Sequence, residues 1–123
     1  MAVVEEKLRC PPPVGGFARY WGDRYHRVMP QEVGPGNPWF IATLWMADYH
    51  IARAQSRDGL SRALDLLEWV RKWALPSGTL AEQLDPRSGA PLNVSPLTWS
   101  HGAFVATVLH YLARWRELEA NES

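Results

Sequence analysis

Asn37-Pro38-Trp39-Phe40-Ile41-Ala42-Thr43-Leu44-Trp45-Met46-Ala47-Asp48-Tyr49-His50-Ile51-Ala52-Arg53-Ala54-Gln55-Ser56 is the stretch that decides the fold class. Asparagine accepts from the free amides that open a helix, and proline is already bent for the first helical position. A helix is therefore expected from about Pro38 to Ser56. Phe40, Leu44, Ala47, Ile51 and Ala54 recur at alternating four and three and line one face, while Ile41, Trp45 and Ala52 widen it. So broad a stripe needs apolar neighbours on more than one side.

Those neighbours also read as helices. Asp58-Gly59 makes a turn, and a second helix spans roughly Leu60 to Leu75, with Leu60, Leu64, Leu67, Val70 and Ala74 on one face and Trp69 and Trp73 sharing another. Ser95-Pro96 repeats the cap-and-proline signal for a last helix to about Glu119, burying Val105, Val108, Leu109, Leu112 and Trp115, with residues 120–123 as a frayed tail. Upstream, residues 2–9 allow a short helix, which the Cys10-Pro11-Pro12-Pro13-Val14-Gly15-Gly16 linker ends. From there to Gly36 a loop is expected, with a short strand around Phe17 to Tyr20 at most. Another loop of about twenty residues, punctuated by Pro76, Gly78, Pro86, Gly89 and Pro91, separates the last two helices; loops that long are usually functional or disordered. The pattern is all-α, built of antiparallel helical hairpins, in one partial domain over residues 1–123.

Composition narrows the function. Thirteen basic against thirteen acidic side chains give no net charge and no basic stripe, which argues against nucleic acid. No segment carries the run of apolar residues that a membrane span needs, and residues 1–9 are too charged for a signal peptide, so a cytoplasmic protein is expected. Cys10, the single cysteine, forms no internal disulfide, and His26, His50 and His110 lack partners at ligand spacing, so neither a metal nor a cofactor is called for. Seven tryptophans in 123 residues are far above ordinary usage. Trp45, Trp69, Trp73 and Trp115 fall on helical stripes and read as packing.

The chemistry concentrates in Gly78-Thr79-Leu80-Ala81-Glu82-Gln83-Leu84-Asp85-Pro86, followed by Pro96-Leu97-Thr98-Trp99-Ser100-His101 at the mouth of the last helix. A loop carboxylate beside a tryptophan answers to a sugar, whose apolar face stacks on indole and whose hydroxyls bond to carboxylates and amides. With Ala18-Arg19-Tyr20-Trp21-Gly22-Asp23-Arg24-Tyr25 and Gly36-Asn37-Pro38-Trp39-Phe40, these words make three ordered landmarks between Gly15 and Trp115. Together they resemble glycoside hydrolase family 15, the glucoamylase family, which includes glucodextranases and some trehalases. The resemblance implies roughly the last third of an (α/α)6 toroid, whose paired helices form two concentric rings around a sugar pocket.

Residue by residue, the resemblance makes Glu82 the general base of an inverting glycosidase, taking a proton from the water that attacks the anomeric carbon. It makes Arg19 and Asp23 ligands of sugar hydroxyls, against the plainer reading of a mutual ion pair. Trp39 stands at the pocket or anchors the helix start, Gln83 offers its amide to a hydroxyl or to local backbone, and Trp99 stacks near the base or packs beneath the long loop. His101 orients Glu82 or serves a capping or core role. The implied partner is an α-glucoside: a glucan oligosaccharide or trehalose.

Inversion also requires a protonated acid roughly 6.5 to 9.5 Å from the base. In the family that acid lies far upstream of the matching segment, and neither Asp23 nor Glu32 matches its motif. Three or four helices of a ring leave apolar flanks open, so self-association or a complementary chain carrying the remainder is expected. The competing class is a non-catalytic carbohydrate-binding or protein-interaction module built on the same fold.

Overall fold

The computed structural model describes residues 2–27 and 35–122. Glu32 and the end of the loop that reaches Met29 lie outside the described residues. In chain order come α1 (Ala2–Leu8), α2 (Phe40–Arg53), a 3-10 turn (Asp58–Leu60), α3 (Ser61–Trp73), β1 (Gln83–Leu84), β2 (Pro91–Leu92) and α4 (Thr98–Glu122). The fold is helical, and α2 is its centre, packed against α3 on one side and α4 on the other.

α2 buries Phe40, Ile41, Ala42, Thr43, Leu44, Met46, Ala47 and Ile51, nearly its whole circumference. Phe40 and Leu44 meet Leu67 and Val70 of α3, while Ile51 meets Leu60, Ala63 and Leu118. Ala52 and Trp45, read as part of the stripe, are exposed. α2 begins later than the cap signal implied. Trp39 occupies the cap position in extended geometry, without a side-chain cap bond. Residues 38–39 pair with neighbours instead: the Trp39 amide donates to Phe17 O at 2.9 Å, and Pro38 O accepts from the Leu84 amide at 3.0 Å. Tertiary pairing thus overrides the local cap preference.

α3 buries Ala63, Leu66, Leu67 and Val70 and turns Asp65, Glu68, Arg71 and Lys72 outward, as an amphipathic helix with one solvated face does. Leu64, assigned to its buried face, is 43% exposed. α4 departs further from expectation. It rests on the core through Ser100, Thr107 and Leu118, with Ala103, Phe104, Val108 and Tyr111 partly buried. Val105, Leu109, Leu112 and Trp115, the expected buried face, are open to solvent. Apolar residues fall on two faces of the helix, so sequence period could not choose which side meets α2. It continues through Glu122, whose carboxylate receives Arg57 Nε at 2.6 Å.

The Pro-rich stretch closes on itself. The Cys10 amide donates to Gly16 O at 2.8 Å and that of Gly15 to Pro11 O at 3.1 Å. Trp69 Nε1 clamps it by donating to Val14 O at 2.7 Å. Cys10 is buried, and burial pushes its thiol pKa up to about 12, far from any reactive thiolate. α1 is tied down by Glu5, which bonds Arg9, His50 and Arg62. Among the described residues no helix is long and apolar enough to cross a membrane, and no group of three potential ligands could hold a metal.

Candidate functional site

The long loop before α4 is a short antiparallel hairpin, with Gln83 opposite Leu92 and Leu84 opposite Pro91. Asp85 closes its turn: its amide donates to Ala90 O at 2.8 Å, its carbonyl accepts from the Gly89 amide at 2.8 Å, and its Oδ1 accepts from the Arg87 amide at 2.8 Å. Isolated bridges extend the pairing from Gln83 to Trp39 and from Trp39 to Phe17. Three segments distant in sequence are thereby set side by side, and each contributes to one polar cluster.

Glu82 lies at the partly exposed edge of this cluster. Its Oε2 accepts from Gln83 Nε2 at 2.9 Å and from Asn93 Nδ2 at close range. Its Oε1 takes no hydrogen bond among the described residues. The carboxylate is tethered by one oxygen while the other points free. Asn93 Nδ2 also reaches Tyr25 Oη at 3.2 Å. Gln83 is fully buried, and its Oε1 accepts from Asn37 Nδ2 at 3.1 Å. Asn37 Nδ2 donates as well to the His26 carbonyl at 2.8 Å.

A second layer holds Arg19. Asp23, 1% exposed, grips it with both oxygens: Nε to Oδ2 at 2.8 Å and Nη2 to Oδ1 at 3.0 Å. The guanidinium rests over the Trp39 ring at 4.2 Å, within reach of the Tyr25 and Tyr20 rings at 5.1 and 5.3 Å. The hydrogen bonds that Arg19 donates to Asp23, with the charge of Asp23 and more weakly that of Glu82, raise the Arg19 pKa above its ordinary value against the opposing effect of burial. Burial pushes the Asp23 carboxyl upward, but the Arg19 hydrogen bonds and the Tyr25 amide outweigh it and hold Asp23 below the ordinary carboxylate range.

The structure therefore gathers Glu82, Gln83, Arg19, Asp23 and Trp39. It gives them unequal access. Asp23, Gln83 and Trp39 are buried, whereas Glu82 and Arg19 keep partly open side chains. The Trp39 Nε1 has no acceptor among the described residues, so the indole works through its face. Trp99 stands apart, 56% exposed, its ring 5.9 Å from that of Trp45 and edge-on to it. His101 Nε2 accepts from the Leu80 amide at 3.0 Å, so its bond goes to the loop backbone and not to Glu82. Neighbouring Ser100 donates to Ala81 O at 2.9 Å, fixing the other side of the Glu82 segment.

Three contributors escaped the sequence reading: Asn37, Asn93 and Tyr25. His26 and Asn93 are the non-glycine residues with positive φ among those described, at 51° and 61°, and both serve the Glu82 network. Asn93 accepts that conformation readily because its short amide side chain suits the left-handed region. The signal that could have found it is an asparagine closing a hairpin opposite the acidic motif.

No family model matches the chain. It is 32% identical over 104 residues to an uncharacterized glycosyl hydrolase of Methanocaldococcus jannaschii, an alignment covering 77% of this chain. The chain spans 15% of that relative's length. Its fold is similar to part of the glucoamylase of Hormoconis resinae, with TM-score 0.69 and 18% identity over 92% of this chain and 26% of that one. The family 15 glucoamylase from Hypocrea jecorina gives TM-score 0.51 and 20% identity over 65% of this chain and 20% of that one. At such identities the likeness speaks for architecture: the helices are a segment of the glucoamylase (α/α)6 fold.

Proposed function

Taking that ring segment as premise, we propose that the chain supplies the base half of an inverting α-glucoside hydrolase. Glu82 is the general base: its tethered Oε2 fixes the carboxylate, and its free Oε1 accepts a proton from the attacking water. That division of the two oxygens is the observation on which the reading rests. A base that must meet a water within hydrogen-bond reach gains from being held at one end and open at the other. Arg19 binds sugar hydroxyls through the N–H groups left over from its Asp23 fork, while Asp23 and Trp39 act on the sugar through Arg19. Gln83 acts through Glu82. Trp99, with Trp45, offers an exposed indole face for a sugar ring. The likeness of fold and the glycosyl hydrolase relative support this assignment.

The acid that protonates the leaving oxygen belongs to the remainder of the ring and is brought by a complementary chain, since a second copy of this one would carry no such acid. Exposed Val105, Leu109 and Leu112 on α4 favour such completion. Chemistry that needs no acid isolates the base. In α-glucosyl fluoride the leaving group departs as fluoride with the bonding pair, without protonation. Water bonds to C1 from the opposite face, and its proton passes to Glu82 Oε1 and then to solvent, giving β-glucose.

The chain should therefore release fluoride from α-glucosyl fluoride, with β-glucose as first product, and leave maltose, isomaltose and trehalose intact. Glu82→Gln should abolish the release. Sugar binding that survives this substitution with no fluoride release from either protein would instead identify a non-catalytic carbohydrate module.

A further inference from the structure

The geometry points to Asn37 as a positioning residue for Glu82, acting by fixing which way round the buried Gln83 amide sits. This inference rests on Glu82 as the base but concerns the device that aims it. A buried primary amide has a donor end and an acceptor end of nearly equal size, so packing alone does not choose its orientation. Groups of fixed polarity must choose, and two act on Gln83: the Glu82 carboxylate at one end and, through Asn37, a backbone carbonyl at the other.

A backbone carbonyl has that property, since it can only accept. His26 O lies 2.8 Å from the Asn37 side-chain amide, so the group facing it must be Nδ2. The same nitrogen lies 3.1 Å from the Gln83 side chain and has its second hydrogen to give, so the Gln83 atom facing it must be Oε1. Nε2 is then at the opposite end, 2.9 Å from Glu82 Oε2, and donates to it. Polarity passes from the His26 carbonyl, through two amides, to the carboxylate. Reversal at any step would face oxygen against oxygen at Glu82 and push the side chain off its position. His26 is held at positive φ, where its carbonyl addresses Asn37, and Asn37 and Gln83 are 2% and 0% exposed, so water cannot substitute for either partner. Both are buried polar residues whose hydrogen bonds lead to a partly open carboxylate rather than to each other alone.

Asn37→Asp keeps the shape and replaces the donor facing both Gln83 and the His26 carbonyl by an acceptor. Gln83 then meets an accept-only group at each end, so its Nε2 should divide between position 37 and Glu82. The test follows the Gln83 side-chain amide signals in 15N–1H spectra when Glu82→Gln is introduced. In the unaltered background, loss of the carboxylate should move both the nitrogen and the proton signal of Gln83 Nε2. In the Asn37→Asp background the same change should move them clearly less, while the remaining backbone spectrum stays native-like. Asn37→Ala, which removes the donor without adding an acceptor, is the second background and should give a response between those two. It also covers the case in which Asn37→Asp does not fold. An equal response in every folded background, or none in the unaltered one, overturns the inference, because a residue that only supports packing would leave the response unchanged.

Fluoride release from α-glucosyl fluoride separates the two claims. A normal amide response without fluoride release removes the role of Glu82 as base and leaves the orientation device standing. Where release occurs, Asn37→Asp should lower kcat with KM little changed.

Discussion

The Arg19 guanidinium lies 4.2 Å from the centroid of the Trp39 ring, over a residue whose backbone pairs with Phe17 in the loop after α1 and with Gln83 in the Glu82 hairpin. A flat cation on a flat ring has little freedom left, and the Asp23 fork removes most of the remainder. Arg19 is therefore held in one orientation by its own neighbours, and Asp23 is the part of the arrangement most easily tested.

Asp23→Asn should destabilise the chain by about 2 kcal/mol, the low side for breaking a buried pair because Arg19 is partly solvated. The effect should depend on pH. The folded Asp23 carboxyl lies below its ordinary value, so its contribution is complete above the unfolded value of about 3.9 and is lost as pH falls through the folded value. Urea unfolding of both proteins between pH 7 and pH 3 should show the gap narrowing at the acid end. A gap that stays constant would mean that the fork contributes nothing through its charge.

Asn93→Gly tests the open side of the Glu82 tether. Glycine retains the positive φ that residue 93 needs and removes only the amide shared between Glu82 and Tyr25, so folding should change by less than about 1 kcal/mol. Fluoride release from α-glucosyl fluoride should fall by about a hundredfold, the scale of losing the alignment of a reacting group. Asn93→Ala should lose as much activity and about 1–2 kcal/mol of stability besides, for the left-handed backbone. Unchanged turnover in both variants would show that Gln83 alone positions Glu82.

The loop between α3 and α4 allows a comparison between two glycines. Gly89 has φ 75°, and a Cβ there would overlap the Trp73 ring; Gly78 has φ 84° and open space around it. Gly78→Ala should cost about 1–2 kcal/mol for backbone strain alone. Gly89→Ala adds an overlap with an aromatic ring, a further ~1–3 kcal/mol. Paired thermal or urea unfolding measures the difference, and equal losses would show that Trp73 yields without cost.

The buried face of α2 was legible because Phe40, Leu44, Ala47, Ile51 and Ala54 agree with one period and no other. Glu82, Gln83, Arg19, Asp23 and Trp39 could be named because they sit in recognisable local words. Asn37 was misread for the same reason: Asn-Pro is a helix signal locally, but its amide answers to His26 and Gln83, eleven and forty-six residues away. Asn93 reaches Glu82 only because the hairpin registers Gln83 against Leu92, a pairing with little sequence signature in strands of two residues. Trp99 and Trp45 share no local word, so their edge-on meeting also had to await the fold.

α4 gives the remaining prediction, because its sequence offers two apolar faces and the structure uses one. Leu118 is 3% exposed between α2 and the 3-10 turn, whereas Leu109 is 62% exposed. Leu118→Ala should cost about 2–5 kcal/mol as a core truncation, and Leu109→Lys less than about 0.5 kcal/mol. Their effects on association should run the other way. The chain should elute from size-exclusion chromatography larger than its 14.0 kDa monomer and bind an apolar dye, since Val105, Leu109 and Leu112 lie exposed at four- and three-residue spacing on one side of α4, uncovered by the described residues. Leu109→Lys together with Leu112→Lys should shift elution toward the monomer and reduce dye binding while leaving far-ultraviolet circular dichroism unchanged. A chain that already elutes as a monomer without binding dye would mean that this face tolerates water, and the argument for a ring completed from outside these helices would fail with it.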